Sequence, residues 1–363
     1  MSSQDGNLKN AILFNGAASY IAQEAGMLDL LLGNVEGVRG VGLNIQQDNT
    51  FIGGLSSGAL MTFMVNAAFC KNPRQSWKDY KDIIFAMTTE KVYTGEHHFL
   101  HPYNTEPLKK FLTEECAKVG YQTLRDLPFE SAILTVATSD YKTCWLNNIP
   151  EVAEKLPAGH GVYKNIREHQ LDLELVSSLM CSTAIPLRIF PEQELYYKDG
   201  SEHQAITRRF HNPAKFKDGG TRGVFKRFKE FFETYGENFD NIYFISPDFP
   251  KNETEAYKLI EAEDLESEQN TMELSMELSL NFNDSTNKFI HELKKYNVDG
   301  RLANKIYYCK PQIDYYDKHI TPPEPYKPLI FDQEKDLYSD TISWGKNNTS
   351  DIAIDINDID TLE

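Results

Sequence analysis

Phe51-Ile52-Gly53-Gly54-Leu55-Ser56-Ser57-Gly58-Ala59-Leu60-Met61-Thr62-Phe63-Met64-Val65 is the stretch on which the reading of this chain turns. Its centre, Gly54-Leu55-Ser56-Ser57-Gly58, has the G-x-S-x-G form in which a sharp strand-to-helix turn presents a nucleophilic serine. Phe51-Ile52 is a short apolar run suited to the end of a buried strand, and Ala59-Leu60-Met61-Thr62-Phe63-Met64-Val65 suits the start of a buried helix. Glycines at 54 and 58 allow close backbone approach, and a helix starting after Ser56 favours developing negative charge. Strand, elbow and helix therefore come in the order that nucleophilic chemistry needs.

Outward from the elbow the chain alternates strand and helix signals. Asn10-Ala11-Ile12-Leu13-Phe14 is a buried-strand candidate running into Asn15-Gly16-Ala17-Ala18, and residues 20–32 carry apolar residues at helical spacing. Residues 131–138 and 241–246 are further β-rich runs, separated by helical stretches at 107–119 and 171–180. Such alternation argues for a largely parallel sheet covered on both faces. Residues 77–127 are mostly helical in pattern, apart from an aromatic loop over 93–101. That loop holds His97, His98 and His101 without matching Asp, Glu or Cys spacing, so no metal site is expected there. Residues 261–277 and 287–296 are helix-prone and acidic or surface-like, and 351–363 suggests an edge strand or a loose tail. Lys215, Lys217, Arg222, Lys226, Arg227 and Lys229 suggest a solvated helix face. No repeat and no Pro- or Gly-rich linker divides the chain.

The sequence has 363 residues, 40% hydrophobic and 12% aromatic, enough for one large α/β domain or two smaller ones. Lys and Arg total 37 against 54 Asp and Glu, a net charge of -17 that repels phosphate backbones and disfavours a nucleic-acid partner. Five widely spaced cysteines contain no C-x-x-C pair and imply no disulfide framework. The first residues lack a basic n-region with a following apolar run, and no stretch reaches the length of a membrane span, so a cytoplasmic location is expected.

Three segments together carry a family resemblance. They are Asn15-Gly16-Ala17-Ala18 with Gly26 beyond it; the elbow at Ser56; and Cys181-Ser182-Thr183-Ala184-Ile185-Pro186 followed by Asp218-Gly219-Gly220. In order and content this resembles the patatin-like phospholipases, whose pattern runs from a G-G-G-x-R/K-G loop through G-x-S-x-G and A-S-x-A-I-P to D-G-G. The resemblance implies a three-layer α/β/α fold with a central, mostly parallel sheet over residues 10–346, between a short lead (1–9) and an acidic C-terminal tail (347–363). It also implies a lipid acyl hydrolase with Ser56 as nucleophile and Asp218 as sole base. The Gly16, Ala17 and Ala18 amides would hold the oxyanion, with Gly54 and Gly58 shaping the elbow and Gly219 and Gly220 the dyad turn. No cofactor or metal is implied. The partners expected are a lipid substrate and transient contact with a membrane surface.

This chain departs from that pattern where two glycines of the loop are Ala17 and Ala18, followed by Ser19 and Tyr20 with no basic residue. Alanine there must keep a negative φ or find room. A rival turn, Asp199-Gly200-Ser201, lies on what looks like a hairpin. Two alternative readings go with these departures. One is an α/β-hydrolase whose triad would use His291 or His319, although that fold normally has several strands before its serine. The other is a degenerate fold that binds lipid or a partner without turnover.

Overall fold

The structure is a computed structural model, and it describes residues 9–16, 18–38, 40–95, 102–139, 142–149, 162–185, 189–207, 212–219, 238–247, 294, 305–313, 329–348 and 351–359. The described strands are β1 (Asn10–Phe14), β2 (Thr50–Leu55), β3 (Glu130–Ala137), β4 (Lys142–Asn147), β5 (Gln193–Glu194), β6 (Tyr196–Asp199), β7 (Glu202–Ala205), β8 (Lys215–Asp218), β9 (Asn241–Ile245), β10 (Lys305–Cys309) and β11 (Ile354–Asp355). The α-helices are α1 (Ile21–Leu32), α2 (Ser57–Phe69), α3 (Trp77–Phe85), α4 (Thr89–Val92), α5 (Glu106–Val119), α6 (Val162–Glu168), α7 (Leu175–Ser182) and α8 (Glu334–Asn347).

The central sheet runs β11-β10-β9-β1-β2-β3-β8-β5, with β4 also on β3, while β6 and β7 form a separate hairpin. Its inner strands β10, β9, β1, β2 and β3 are all parallel, and the pairings at both margins are antiparallel. Every residue of β1 and β2 is buried, the condition of parallel strands covered on both faces, and it explains their unbroken apolar runs. Alternate residues serve two cores. Ile12, Phe14, Ile52 and Ile133 face the larger one, built with α1, α2, α5, α7 and α8. Ala11, Leu13, Phe51 and Leu134 face a smaller one with Trp145, Phe239 and Ile356, the last in a short 3-10 turn. The architecture is a mixed, mostly parallel sheet with helical elements on both sides, in a three-layer α/β arrangement.

Two devices fix the helices that matter for the elbow. Asn66 of α2 donates to Ser131 Oγ at 2.8 Å and accepts from the Phe129 amide at 3.0 Å, locking α2 to the entry of β3. Asp29 of α1, almost fully buried, accepts from Trp77 Nε1, Lys81 Nζ and Tyr338 Oη at 2.5–2.8 Å, tying α1 to α3 and α8. Helices α1 and α8 approach closely because Gly26 and Gly345 lack side chains; a Cβ on Gly345 would lie 2.5 Å from Leu30.

The sequence reading needs correction at several places. Lys215 and Lys217 belong to strand β8, not a helix, because β3 and β5 flank that segment and supply its backbone partners. Within 351–363, by contrast, the expected edge strand is present: Ile354–Asp355 pairs with β10, and Ile356 beside it is buried. The helical expectation over 171–180 resolves into a 3-10 turn, Gln170–Asp172, and α7. The helix-prone stretch 261–277 lies outside the described residues, as does 287–296 apart from Lys294. None of the five cysteines forms a disulfide.

Candidate active site

Ser56 sits between β2 and α2 with φ 53° and ψ -130°, a backbone conformation that an L-residue holds only when its surroundings dictate it, at a cost of about 1–3 kcal/mol. The surroundings are glycines packed backbone to backbone. A Cβ on Gly54 would stand 2.1 Å from the Gly58 carbonyl oxygen, and one on Gly58 would stand 2.4 Å from that of Phe14. A Cβ on Gly16 would stand 2.0 Å from the Leu55 carbonyl oxygen. The elbow, the end of β1 and the loop after it are therefore one interlocked unit, and the glycine pattern at 54 and 58 has a steric cause. Thr62 Oγ1 donates to the Gly58 carbonyl at 3.0 Å and steadies the first turn of α2.

Sheet register brings the distant aspartate to this elbow. Strand β3 has two edges. Along one, Ala132–Ala137 pair with β4; along the other, Glu130–Leu134 pair with β2 and Thr135–Ala137 with β8. Strands β2 and β8 therefore share one edge and meet end to end, Leu55 opposite Leu134 and Asp218 opposite Thr135. Because β8 runs antiparallel to β3, the C-terminal ends of β2 and β8 face each other. Close contact follows at the next residue: a Cβ on Gly219 would lie 2.7 Å from the Leu134 oxygen and 3.0 Å from Leu55 Cβ. Asp218 is 4% exposed.

The segment that ends α7 bolts the two together. Ser182 Oγ donates to the Leu134 carbonyl at 2.6 Å and accepts from the Ser56 amide at 3.0 Å. The Asp218 amide donates to the Ala184 carbonyl at 2.8 Å. Thr135 Oγ1 donates to the Cys181 and Lys217 carbonyls, at 3.0 and 2.8 Å. None of these ties is visible in sequence, since Ser56 and Ser182 are 126 residues apart.

The loop after β1 departs from its expected use. Gly16 has φ 67° and Ala18 φ 48°, so Ala18 accepts the left-handed conformation instead of avoiding it. The Gly16 amide, expected to hold an oxyanion, donates at 2.8 Å to Oε1 of Glu24, a fully buried residue that the sequence reading did not single out. Burial pushes the Glu24 carboxyl up to about 8 against the opposing pull of the Gly16 bond. Its other oxygen has no hydrogen-bond partner among the described residues. Ser19 is buried and accepts from Gln333 Nε2 at 3.1 Å, and Tyr20, where the resembled pattern has a basic residue, is buried beside it. Ala17 and Gly220 lie outside the described residues, as do Pro186, His97, His98, His101, His211, His291 and His319.

Above Ser56 opens a mainly apolar cleft of about 390 Å³, its open mouth included. Ala18 and Ile21 line it beside the elbow, Leu60 and Leu108 come from α2 and α5, and Phe190 and Phe331 from two distant loops. Phe331 is held by its amide on Thr89 Oγ1 at 3.1 Å, and neighbouring Leu329 accepts from Tyr93 Oη at 2.8 Å. The rival Asp199 stands exposed at the tip of the β6–β7 hairpin, a two-stranded sheet separate from the central one. Among the described residues no cluster of three or more His, Cys, Asp or Glu could hold a metal, and no helix is long and apolar enough to cross a membrane. No protein-family model matches the chain, and no curated protein matches it either.

Proposed function

We propose that this chain is a serine acyl hydrolase of the patatin-like type, cleaving fatty acyl esters of glycerolipids with a Ser56-Asp218 dyad. The observation that supports the reading is the end-to-end meeting of β2 and β8, which sets the end of β8 with its buried Asp218 against the strained elbow of Ser56, and Ser56 lines an apolar cleft. Asp218 takes the Ser56 hydroxyl proton as Oγ attacks the ester carbonyl carbon. The tetrahedral oxyanion collapses with cleavage of the ester C–O bond, and the proton on Asp218 passes to the departing alcohol. Water then attacks the acyl-serine, gives its proton to Asp218, and the fatty acid leaves as Ser56 regains its hydroxyl. With the Gly16 amide bound to Glu24, the donors proposed for the oxyanion are the amides of Ala18 and of Ser57, the residue after the nucleophile.

An apolar wall suits an acyl chain, and burial of Asp218 suits a carboxylate required to act as a base. Among the described strands only β1 and β2 precede Ser56, which favours this reading over the α/β-hydrolase alternative. The test is to incubate the purified protein with mixed phospholipids, lysophospholipids and neutral glycerolipids and to identify products by mass spectrometry. Free fatty acid, absent with Ser56→Ala, is the expected result. No product from any lipid, with a correctly folded chain, would favour the lipid-binding alternative.

A further inference from the structure

We propose that Glu24 is a positioning residue for the loop beside Ser56 and serves as the neutral acid, so that its ionisation slows attack by Ser56. The inference rests on the acyl-hydrolase reading and extends it to a residue outside the dyad. Glu24 lies in the first turn of α1, fully buried, and its Oε1 receives the Gly16 amide at 2.8 Å. Gly16 is itself pressed against the elbow, with Ser56 Cβ 3.0 Å from where its own Cβ would be. A single residue thus separates the carboxyl from the nucleophile. The bond engages the amide of Gly16, itself at positive φ, and so leaves the oxyanion to the amides that follow.

Charge is what makes this arrangement conditional. Among the described elements, those packed most closely on α1 are α2, α3, α8, β9 and the 3-10 turn Ala18–Tyr20. Helix α2 carries no ionisable side chain, β9 brings only Tyr243, and the turn only Tyr20. From α3 come Tyr80 and Lys81, the latter held by Asp29 at 2.6 Å, with Lys78, Asp79 and Asp82 exposed. From α8 come Glu334, Tyr338 and Asp340, with Lys335, Asp336 and Lys346 exposed. The orphan Oε2 of Glu24 has no donor among the described residues, so a carboxylate would be stabilised by the Gly16 amide and little else. A neutral Glu24 leaves the elbow's field to the α2 N-terminus. An ionised one puts an unscreened negative charge beside an oxyanion that is forming.

The experiment measures the rate at which a soluble fluorophosphonate labels the full chain, with peptide mapping of the adduct, at pH 7 and pH 9.5. In wild type the rate of labelling at Ser56 is expected to fall about tenfold between the two pH values, after subtraction of probe hydrolysis. Glu24→Gln, an uncharged isostere, and Glu24→Ala both remove the titrating group, and in each the ratio of the two rates should be close to one. Thermal melting identifies a variant that has lost its fold, in which case the other variant decides. A wild-type rate that does not fall, or a fall retained in a folded Glu24 variant, would overturn the proposal while leaving the acyl-hydrolase reading standing. Absence of any adduct at Ser56 in wild type would overturn both.

Discussion

Two Asp-Gly turns in this molecule share their letters and differ in everything else. At Asp199-Gly200 the glycine has φ 58°, nothing lies within 4 Å of where its Cβ would be, and the aspartate is exposed between β6 and β7. At Asp218-Gly219 the aspartate is buried, and a Cβ on the glycine would collide with Leu134 and Leu55. The first turn is local: its glycine supplies a backbone angle and the hairpin closes around it. The second is tertiary, since its glycine supplies room for β8 to abut β2. The proposed chemistry uses the second, where close approach, not turn geometry, brings the end of β8 to the elbow.

The largest effect expected from this contrast is at the serines beside the two turns. Ser56→Ala should abolish fatty acid release measured by mass spectrometry, whereas Ser201→Ala at the hairpin tip should leave it at the wild-type level. Substituting the glycines comes next. Gly58→Ala drives a Cβ to 2.4 Å from the Phe14 carbonyl and should destabilise by about 1–3 kcal/mol, with loss of activity. Gly200→Ala meets no neighbour and bears only the cost of its positive φ, about 1 kcal/mol, with activity kept. Thermal melting and turnover measured on both variants check the pair; equal loss of turnover in the two would break the comparison.

A smaller effect separates the tertiary turn from its support. Ser182→Ala removes the acceptor of the Ser56 amide and the donor to Leu134, so stability should fall by about 1–3 kcal/mol. Turnover should drop with little change in KM, because what loosens is the elbow and not the apolar cleft.

The effect that touches turnover least is the pH dependence of stability. Burial raises both Glu24 and Glu334 from 4.5 to about 8, and Asp332 adds to the rise of the latter. Between those values the folded chain holds protons that the unfolded chain has released, so stability declines as pH rises. Their contribution is complete below about 4.5 and gone once the pH passes about 8. Melting temperature should therefore fall from pH 5 to pH 8, and the Glu24→Gln/Glu334→Gln double variant should show a shallower fall. An identical slope in that variant would remove both residues from the account.

How much could be read in advance follows the same division between local and tertiary causes. Strands β1, β3 and β9 were legible to within a residue or so, because parallel strands buried on both faces must be continuous apolar runs. The elbow was legible because its glycines are adjacent in sequence. Strand β8 was not: Lys215-Phe216-Lys217-Asp218 has the alternation of a half-exposed strand but too few residues to announce one, and its partners lie far away in the chain. Strand β10 does carry a local signal, the β-prone Ile306-Tyr307-Tyr308. Glu24 also left a trace, a lone acid in the otherwise uncharged and mostly apolar start of α1, Ile-Ala-Gln-Glu-Ala. Its bond to Gly16 could not be read, since it depends on a loop that curls back over its own helix.

The account stands most directly on which aspartate is the base. The deciding measurement is the turnover number for fatty acid release by Asp218→Asn and Asp199→Asn, each verified by thermal melting. The structure leads us to expect Asp199→Asn at the wild-type rate and Asp218→Asn slower by about three to four orders of magnitude. Equal rates in the two variants, or a loss confined to Asp199→Asn, would contradict the dyad.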